Sequence, residues 1–384
     1  MITESRLLDR KLLRRGATFD QSLLWMVVLM TSFSLIMVYS ASIAYASHDG
    51  GSKYFYLIRQ AAFLTCGGLL GLIAVRIPLR TWKMLTPLIL LFSLVMLVVV
   101  LAMGREINGA KRWINLGIFN VQPTEIFKLA IILYLSSFFT RRAEILKEFK
   151  KVWFAGIPIG LGLGLIMLEP DFGSFVVVSV ISIGLLFLAG LPFRWFLAVV
   201  GFGLVAMIVL VLFEPYRLAR VTGFLDPWAD PLGKGYQLTH SLMAIGRGGW
   251  FGVGLGASLE KRFYLPEAHT DFILAVIGEE FGFIGILVLM FCYIWLMVRA
   301  FSIGKQARDL ELFYSSFVAK GIGIWIGVQS FFNIGVNIGL LPTKGLTLPL
   351  LSYGGSAIII VLICVALLLR VDYENRRVMR GFKV

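Results

Sequence analysis

Residues 271–298 read DFILAVIGEEFGFIGILVLMFCYIWLMV, and this stretch decides the class of fold. From Phe272 onward it is apolar except for Glu279 and Glu280. A helix needs about 20 predominantly apolar residues to cross the hydrocarbon core of a bilayer, so the stretch predicts a transmembrane helix. A polar loop precedes it, and Asp271 stands at the junction between the loop and the helix.

The rest of the chain repeats this pattern. Its 384 residues are 58% hydrophobic and only 15% charged, and the apolar residues gather in about ten long runs. We therefore predict an all-α polytopic membrane protein with about ten transmembrane helices, forming a single domain over residues 1–384. The predicted spans cover residues 23–45, 55–75, 84–103, 124–140, 153–168, 173–190, 196–213, 271–298, 315–338 and 355–370.

Ten spans place both termini on one side of the membrane, and the distribution of Lys and Arg indicates which side. If both termini are cytoplasmic, the cytoplasmic segments hold 23 of these residues and the outer segments hold 12. The sequence thus predicts cytoplasmic tails at residues 1–20 and 371–384, and a large extracytoplasmic loop at 214–270 between spans seven and eight. Because membrane orientation explains the net charge of +14, we expect no nucleic-acid partner.

Asp271 falls at the outer end of span eight in this orientation. A carboxylate there has an apolar wall on one side and water on the other, a setting that raises its pKa and suits a general base. The alternative is an N-terminal helix cap, because Asp favours that position and complements the helix dipole. The residue types alone leave both roles open.

Several further charges fall inside the predicted spans. Glu125 and Lys128 share one helix face at the start of span four, and we expect a structural ion pair because a lone charge in lipid is costly. Glu279 and Glu280 point about 100° apart on a helix, so both cannot occupy one narrow site. They are either buried hydrogen-bonding groups or part of a polar cavity below Asp271, with Glu279 nearer to its face.

Two further connections at the predicted outer face carry informative residues. Residues 169–171 (EPD) join spans five and six, and Asp171 is either a helix cap or a cavity residue. Residues 341–356 (LPTKGLTLPLLSYGGS) are apolar yet interrupted by two Pro and three Gly. Irregular backbone is tolerated at membrane depth only where protein buries it, so this stretch predicts a re-entrant segment tucked into the helices.

These motifs resemble a known family. Residues 337–357 (NIGLLPTKGLTLPLLSYGGSA) are similar to the signature of the SEDS family of cell-wall polymerases, the RodA/FtsW/SpoVE family, and the resemblance extends over residues 20–370. Residues 37–42 (MVYSAS), 226–228 (DPW) and 264–271 (YLPEAHTD) look more like the cell-division branch than the elongation branch. Further blocks that the family carries are 109–114 (GAKRWI), 122–128 (QPTEIFK), 169–171 (EPD), 235–237 (GYQ) and 265–272 (LPEAHTDF).

The resemblance implies a peptidoglycan glycosyltransferase in the bacterial cytoplasmic (inner) membrane at the division septum. Such proteins polymerise lipid II into β-1,4-linked glycan strands at the outer face and release undecaprenyl diphosphate. They work with a class B penicillin-binding protein, a transpeptidase, and with other divisome membrane proteins. The family's essential aspartate corresponds to Asp271, and its interior ion pair to Glu125 and Lys128.

The diphosphate leaving group of lipid II requires cations, and Arg forks suit phosphate geometry. The sequence has no Asp-x-Asp, which argues against a metal-dependent enzyme that uses nucleotide sugars. The sequence identifies no cofactor, and it leaves open whether Mg²⁺ or Mn²⁺ binds at the lipid diphosphate. The candidate substrate-binding residues are Lys111, Arg112, Arg217, Arg220, Lys234, Arg247, Lys261, Arg262, His269 and Ser352.

Two alternatives remain at the level of sequence. A lipid II flippase would also have many helices, buried charges and a broken helix. However, a transporter binds its substrate near the bilayer midplane, whereas Asp271 falls at the predicted outer rim. The second alternative is the elongation polymerase of the same family.

Overall fold

The computed structural model describes residues 19–48, 52–107, 110–115, 117, 120–141, 149–213, 215–343 and 345–382. Most of these residues are helical, as the apolar runs predict. In chain order the elements are α1 Gln21–His48, α2 Phe55–Arg76, α3 Leu79–Met103, β1 Arg105–Ile107, β2 Ala110–Asn115, β3 Asn120–Val121, α4 Pro123–Arg141, α5 Phe149–Leu168, α6 Phe172–Leu188, α7 Phe193–Leu212, α8 Pro215–Leu225, α9 Tyr236–Gly248, α10 Ile273–Asp309, α11 Phe313–Asn337 and α12 Gly355–Met379.

Seven helices in the described part of the chain are long and apolar enough to cross a membrane, namely α1 to α4 and α10 to α12. The helices α5, α6 and α7 are also apolar but have shorter qualifying stretches. Each predicted run therefore corresponds to a helix, and the protein is a helical multi-pass membrane protein. The tail predicted at residues 1–20 lies almost entirely outside the described residues, and α12 continues through most of the tail predicted at 371–384.

The helices divide into an interior group and an outer group. Most residues of α4, α11 and α12 are buried, and α11 packs against both α4 and α10. The outer helices instead present large apolar side chains on the surface, such as Leu72 on α2, Leu88 on α3 and Phe202 on α7. Apolar faces of this extent are typical of helices in a membrane, because the lipid tails cover the apolar side chains.

A small antiparallel sheet forms between α3 and α4. Strand β2 lies in the centre, with Glu106 of β1 opposite Lys111 and Val121 of β3 opposite Ile114. The sequence predicted only an outer connection here, because strands this short carry little periodic signal. Helix α4 begins at Pro123 directly after β3, a position where the missing N–H of proline costs no hydrogen bond.

The large loop at 214–270 contains regular structure. Its two helices, α8 and α9, are amphipathic, and α9 packs against α10. The mixture of polar and apolar residues in this segment predicts a loop that lies against the membrane surface, and this stays a prediction. In α9 the mixture separates into a buried face with Leu238, Ser241 and Ala244 and an exposed face with Met243.

The loop is also built into a break in α10. At Gly282 the backbone leaves helical geometry with φ of 70°, and residues 249–254 pair with the exposed main-chain groups. The N–H of Val253 donates to the carbonyl of Glu279 at 2.9 Å, and that of Phe283 donates to the carbonyl of Gly249 at 2.8 Å. A Cβ at position 282 would lie 2.5 Å from the carbonyl oxygen of Trp250, so only glycine fits there.

Glu279 and Glu280 on α10 hold this loop through ion pairs. The Glu279 carboxylate accepts hydrogen bonds from Arg247 at 2.6 Å and from the N–H of Leu259 at 2.9 Å. The Glu280 carboxylate lies 2.5 Å from Lys261 and also accepts a hydrogen bond from Ser40 on α1. The two side chains diverge as adjacent helix positions must, and the structure places both in ion pairs instead of a polar cavity below Asp271.

The ion pair expected at the start of α4 is present in the structure. Lys128 Nζ donates to Glu125 Oε1 at 2.7 Å and to Gln329 Oε1 on α11 at 2.9 Å. It also lies 5.1 Å above the ring of Trp325. All four side chains are buried, so the lysine charge is satisfied entirely by protein groups.

We expect Glu125→Ala or Lys128→Ala alone to reduce the yield of folded protein sharply, because breaking a buried pair leaves an uncompensated charge at a cost of ~3–5 kcal/mol. The double variant Glu125→Gln, Lys128→Met should recover part of the yield. Size-exclusion profiles in detergent measure the effect, with Lys111→Met as a control at an exposed lysine. A double variant as damaging as the sum of the single variants would show that the pair is not coupled.

Candidate active site

A cavity of about 650 Å³ opens at the end of the helix bundle that carries the sheet and the large loop. Its walls come from distant parts of the chain, which the fold brings together. They include the N-terminal end of α2, the strands β2 and β3, the segment before α10, and the irregular segment between α11 and α12. Asp271 lies in this cavity, half-buried.

The irregular segment between α11 and α12 is packed into protein, as its composition predicts. The side chains of Leu346, Leu348, Leu350 and Leu351 are almost completely buried, and the carbonyl of Pro349 accepts a hydrogen bond from Tyr293 on α10 at 2.6 Å. These contacts fix a stretch of backbone that forms no helix or strand. The segment therefore provides a rigid wall for the cavity beside Asp271.

Two asparagines on α11 hold the main chain of Asp271. Its carbonyl accepts hydrogen bonds from Asn333 Nδ2 at 2.8 Å and from Asn337 Nδ2 at 3.1 Å. Asn333 Nδ2 also donates to the carbonyl of Leu346 at 2.6 Å, which ties the segment before α10 to the wall formed by the irregular segment. A Cβ at position 345 would lie 3.0 Å from Asp271 Oδ2, so Gly345 leaves room for the carboxylate.

Asp271 is not the cap of α10. That helix begins at Ile273, its N-cap residue is Phe272, and no side chain makes a capping hydrogen bond there. Asp271 precedes the cap by one residue, and its side chain lines the cavity. The alternative that the sequence left open is therefore excluded by the position of the helix start.

The surroundings of Asp271 bring the pKa of its carboxyl group close to neutral pH. Burial, together with the nearby Glu267 carboxylate, raises the pKa of Asp271 to about 7, while the charges of Arg220 and Arg112 act in the opposite direction. Glu267 itself adopts a left-handed backbone conformation with φ of 55°. A carboxyl group with this pKa can take up and release a proton near neutral pH, as a general base must.

Three arginines line the same cavity and give it a cationic wall. Arg112 donates through Nε to the carbonyl of Glu169 at 3.1 Å and through a terminal nitrogen to the carbonyl of Pro170. Arg220 Nη1 donates to the carbonyl of Thr343 at 3.2 Å, and Arg59 extends from α2. Guanidinium groups so placed suit a phosphate or diphosphate. Arg59 is absent from the substrate-binding candidates predicted from the sequence. An arginine one turn into an apolar helix is a signal that could have identified it.

The other candidates whose side chains the structure describes, apart from His269, do not line the cavity. Because side chains alternate across a strand, Lys111 is exposed while its neighbour Arg112 turns inward. Lys234 and Arg262 are exposed outside the cavity. Arg247 and Lys261 are occupied by Glu279 and Glu280, Ser352 accepts a hydrogen bond from the N–H of Leu348 at 2.9 Å, and the side chain of Arg217 lies outside the described residues.

His269 does line the cavity, but as an uncharged ring. Burial lowers its pKa, and its ring centroid lies 4.6 Å from that of Tyr56 and 5.6 Å from that of Tyr353. Its Nδ1 atom is buried and has no hydrogen-bond partner among the described residues. His269 is therefore suited to contact a neutral part of a ligand instead of a phosphate.

Asp171 acts behind the cavity wall. Its Oδ1 accepts a hydrogen bond from the N–H of Ser174 at 3.1 Å, so it caps α6, and its Oδ2 accepts one from Gln122 Nε2 at 3.1 Å. Gln122 and Ser174 face the cavity themselves. The neighbouring Glu169 is completely buried, and burial raises its pKa to about 9, so the carboxyl group is neutral at pH 7.

Comparison with known proteins assigns the family. The model of the FtsW/RodA/SpoVE family, described as "Cell cycle protein", matches residues 21–377. The chain is 57% identical to a probable peptidoglycan glycosyltransferase FtsW of Neisseria gonorrhoeae, over 98% of this chain and 90% of that protein. It is 49% identical to a protein of the same name from Burkholderia thailandensis, over 100% of this chain and 82% of that protein.

Solved structures agree with this assignment. A chain described under "Structural coordination of polymerization and crosslinking by a peptidoglycan synthase complex" superimposes with a TM-score of 0.74 at 30% identity, covering 93% of this chain and 98% of that chain. The rod shape determining protein RodA of Thermus thermophilus superimposes with a TM-score of 0.68 at 28% identity, covering 93% and 97%. The chain therefore belongs to the FtsW/RodA/SpoVE family, the SEDS family that its sequence motifs indicated.

Proposed function

We propose that the chain is the cell-division peptidoglycan glycosyltransferase of its family and that Asp271 is the general base. It polymerises lipid II into β-1,4-linked glycan strands at the outer face of the cytoplasmic membrane and releases undecaprenyl diphosphate. The observation that carries the mechanism is the position of Asp271, a carboxyl group with a pKa of about 7 in a cavity that three arginines also line.

The reaction is a single displacement. The 4-hydroxyl oxygen of the acceptor sugar attacks the anomeric carbon of the donor, and the bond from that carbon to the diphosphate oxygen breaks. Its electron pair leaves with undecaprenyl diphosphate, and the hydroxyl proton moves to the Asp271 carboxylate. A positioned base contributes roughly 10²–10⁴-fold to such a step. Inversion at the anomeric carbon converts an α-linked donor into the β-1,4 linkage.

The negative charge that develops on the leaving diphosphate needs compensation. Arg59, Arg112 and Arg220 provide three fixed positive charges in the cavity that holds the base. In the described part of the chain, no cluster of three His, Cys, Asp or Glu side chains is arranged to hold a metal ion. If Mg²⁺ or Mn²⁺ takes part, the diphosphate itself would supply most of its ligands. In the mechanism proposed here, the arginines compensate the charge of the leaving diphosphate without a metal ion.

The topology and partners complete the proposal. All ten apolar helices cross the membrane, both termini are cytoplasmic, and the loop at 214–270 lies outside. This arrangement puts the cavity where lipid II presents its sugars. The solved relative with the highest TM-score quoted above comes from a peptidoglycan synthase complex, which supports a class B penicillin-binding protein as partner here. Other divisome proteins and a location at the septum follow from the division role.

We expect Asp271→Asn to insert and fold normally but to lose at least ~100-fold of its glycan polymerisation rate, because an amide cannot accept the acceptor proton. Purified protein with a class B penicillin-binding protein and labelled lipid II, assayed for glycan ladders, measures this rate. Asp309→Asn, at an exposed position beyond the cavity, is the matched control. If the Asp271→Asn rate is within about threefold of the parent, Asp271 is not the general base. If the parent protein itself does not polymerise lipid II, a flippase is favoured.

The pKa of Asp271 predicts the pH dependence of the reaction. The base must be ionised, so polymerisation should be half-maximal near pH 7, level off well above it, and fall about tenfold per pH unit well below it. Steady-state rates at low substrate concentration over pH 5.5–8.5 give the profile of the free enzyme. A midpoint near pH 4, the range of an ordinary carboxylate, would contradict the raised pKa.

Cysteine labelling tests the proposed orientation. In a variant whose three native cysteines are replaced by alanine, Leu232→Cys should react with an impermeant maleimide added to intact spheroplasts, because Leu232 is 85% exposed in the large loop. Asp309→Cys, at the exposed end of α10, should react only after the membrane is opened. The reverse pattern would invert the protein and place the cavity inside the cell.

A further inference from the structure

The cavity has an aromatic side as well as a cationic one. The rings of Phe63, His269 and Tyr353 line it, and they form a continuous cluster. The ring centroids of Tyr353 and His269 are 5.6 Å apart, and those of Tyr353 and Phe63 are 6.3 Å apart. The mechanism described so far uses none of these rings.

A second layer of rings supports this cluster from behind. Tyr56 contacts both His269 and Tyr353, with centroid distances of 4.6 and 5.3 Å, and Tyr45 contacts His269 at 5.8 Å. Neither tyrosine lines the cavity, and the Tyr45 hydroxyl donates to the carbonyl of Leu265 at 3.0 Å. The rear layer thus explains how the rings that line the cavity are held in place, and Arg59 hydrogen-bonds the side chain of Tyr353 in the front layer.

His269 supplies a polar group on this aromatic surface. Only 9% of the residue is exposed, and its Nδ1 atom lacks a hydrogen-bond partner among the described residues. Buried polar atoms are nearly always hydrogen-bonded, so a buried imidazole nitrogen beside a cavity calls for a ligand group. A neutral imidazole offers one donor and one acceptor, which suits a hydroxyl or an N-acetyl group.

The combination fits a sugar better than a phosphate or a lipid tail. Aromatic faces pack against the apolar C–H face of a pyranose ring, while the polar group on the same surface fixes its orientation. A phosphate would prefer the arginines, and a polyprenyl chain would not satisfy Nδ1. His269 stands two residues before Asp271, so a sugar held here has its hydroxyls close to the base.

We propose that Phe63, Tyr353 and His269 form the binding platform for the acceptor sugar, with its reacting hydroxyl directed toward Asp271. The inference rests on the proposed function, because it assigns one part of the same cavity to one part of lipid II. The arginines then hold the donor diphosphate. His269 is a binding residue for the uncharged sugar and not one of the phosphate-binding cations.

Binding measurements can separate the sugar from the diphosphate. Protein in nanodiscs is titrated with lipid II and, separately, with undecaprenyl diphosphate, which lacks the sugars, in an Asp271→Asn background that prevents turnover. Phe63→Leu and His269→Phe should each weaken lipid II binding about tenfold and leave undecaprenyl diphosphate binding unchanged. His269→Asn, which keeps a polar group in place of Nδ1, should retain most of the lipid II affinity.

The controls cover folding and the cationic wall. Phe202→Leu makes the same change at a residue that is 77% exposed on α7 and should alter neither affinity. Arg220→Gln should weaken both ligands, because it acts on the diphosphate. An equal loss of both ligands in Phe63→Leu, or no loss of lipid II affinity, would overturn the platform. If His269→Asn and His269→Phe bind lipid II with equal affinity, the platform does not use a hydrogen bond from position 269.

Kinetics provide an independent check in the protein with Asp271 intact. Phe63→Leu should raise the KM for lipid II about tenfold with kcat within about threefold of the parent, because it removes binding and not chemistry. If the parent binds lipid II through its sugars but forms no glycan, the polymerase function fails and the platform stands. If polymerisation is normal and the platform variants match the parent in both affinity and KM, the platform fails and the function stands.

Discussion

A charge buried among apolar helices must find its partner within the protein, and this constraint shapes most of the structure. Lys128 is satisfied by Glu125 and Gln329 inside the bundle. Glu279 and Glu280, adjacent in sequence, reach two different cations in the large loop. Because an unpaired carboxylate at either position would be severely destabilising, the loop has to stay docked on α10. The ion pairs therefore determine the position of the segment that continues into Asp271.

The cavity that holds Asp271 departs from this rule. Asp271 is held through its main-chain carbonyl by Asn333 and Asn337, so its carboxylate is left to face the cavity. Holding the residue by its backbone fixes the position of the carboxylate without neutralising it. Burial then raises the pKa of Asp271 to about 7, which an ion pair with a neighbouring arginine would have prevented.

In the proposed function, chemically different parts of lipid II meet different groups of the cavity, the diphosphate the arginines and a sugar the neutral aromatic surface with His269. The two groups adjoin, because Arg59 and Phe63 stand one turn apart on α2 and Arg59 hydrogen-bonds the side chain of Tyr353. The base lies in the same cavity as both, so the two reacting groups meet where the proton acceptor is already fixed. Residues from distant parts of the chain form the cavity, and Asn333 ties the segment before α10 to the irregular segment between α11 and α12 through the carbonyls of Asp271 and Leu346.

The amino-acid sequence was enough to predict the membrane-helical class, the apolar segments, the pairing of Glu125 with Lys128 and Asp271 as the candidate base. These follow from local patterns, namely runs of apolar residues, charges at helical spacing and motif blocks. The folded chain was needed to identify the basic residues that reach the cavity: Arg59 belongs to it, and Arg247 and Lys261 do not. It also showed that Asp271 precedes the helix cap. These depend on contacts between residues up to hundreds of positions apart, and a cation looks the same in sequence whether a buried glutamate or a substrate will be its partner.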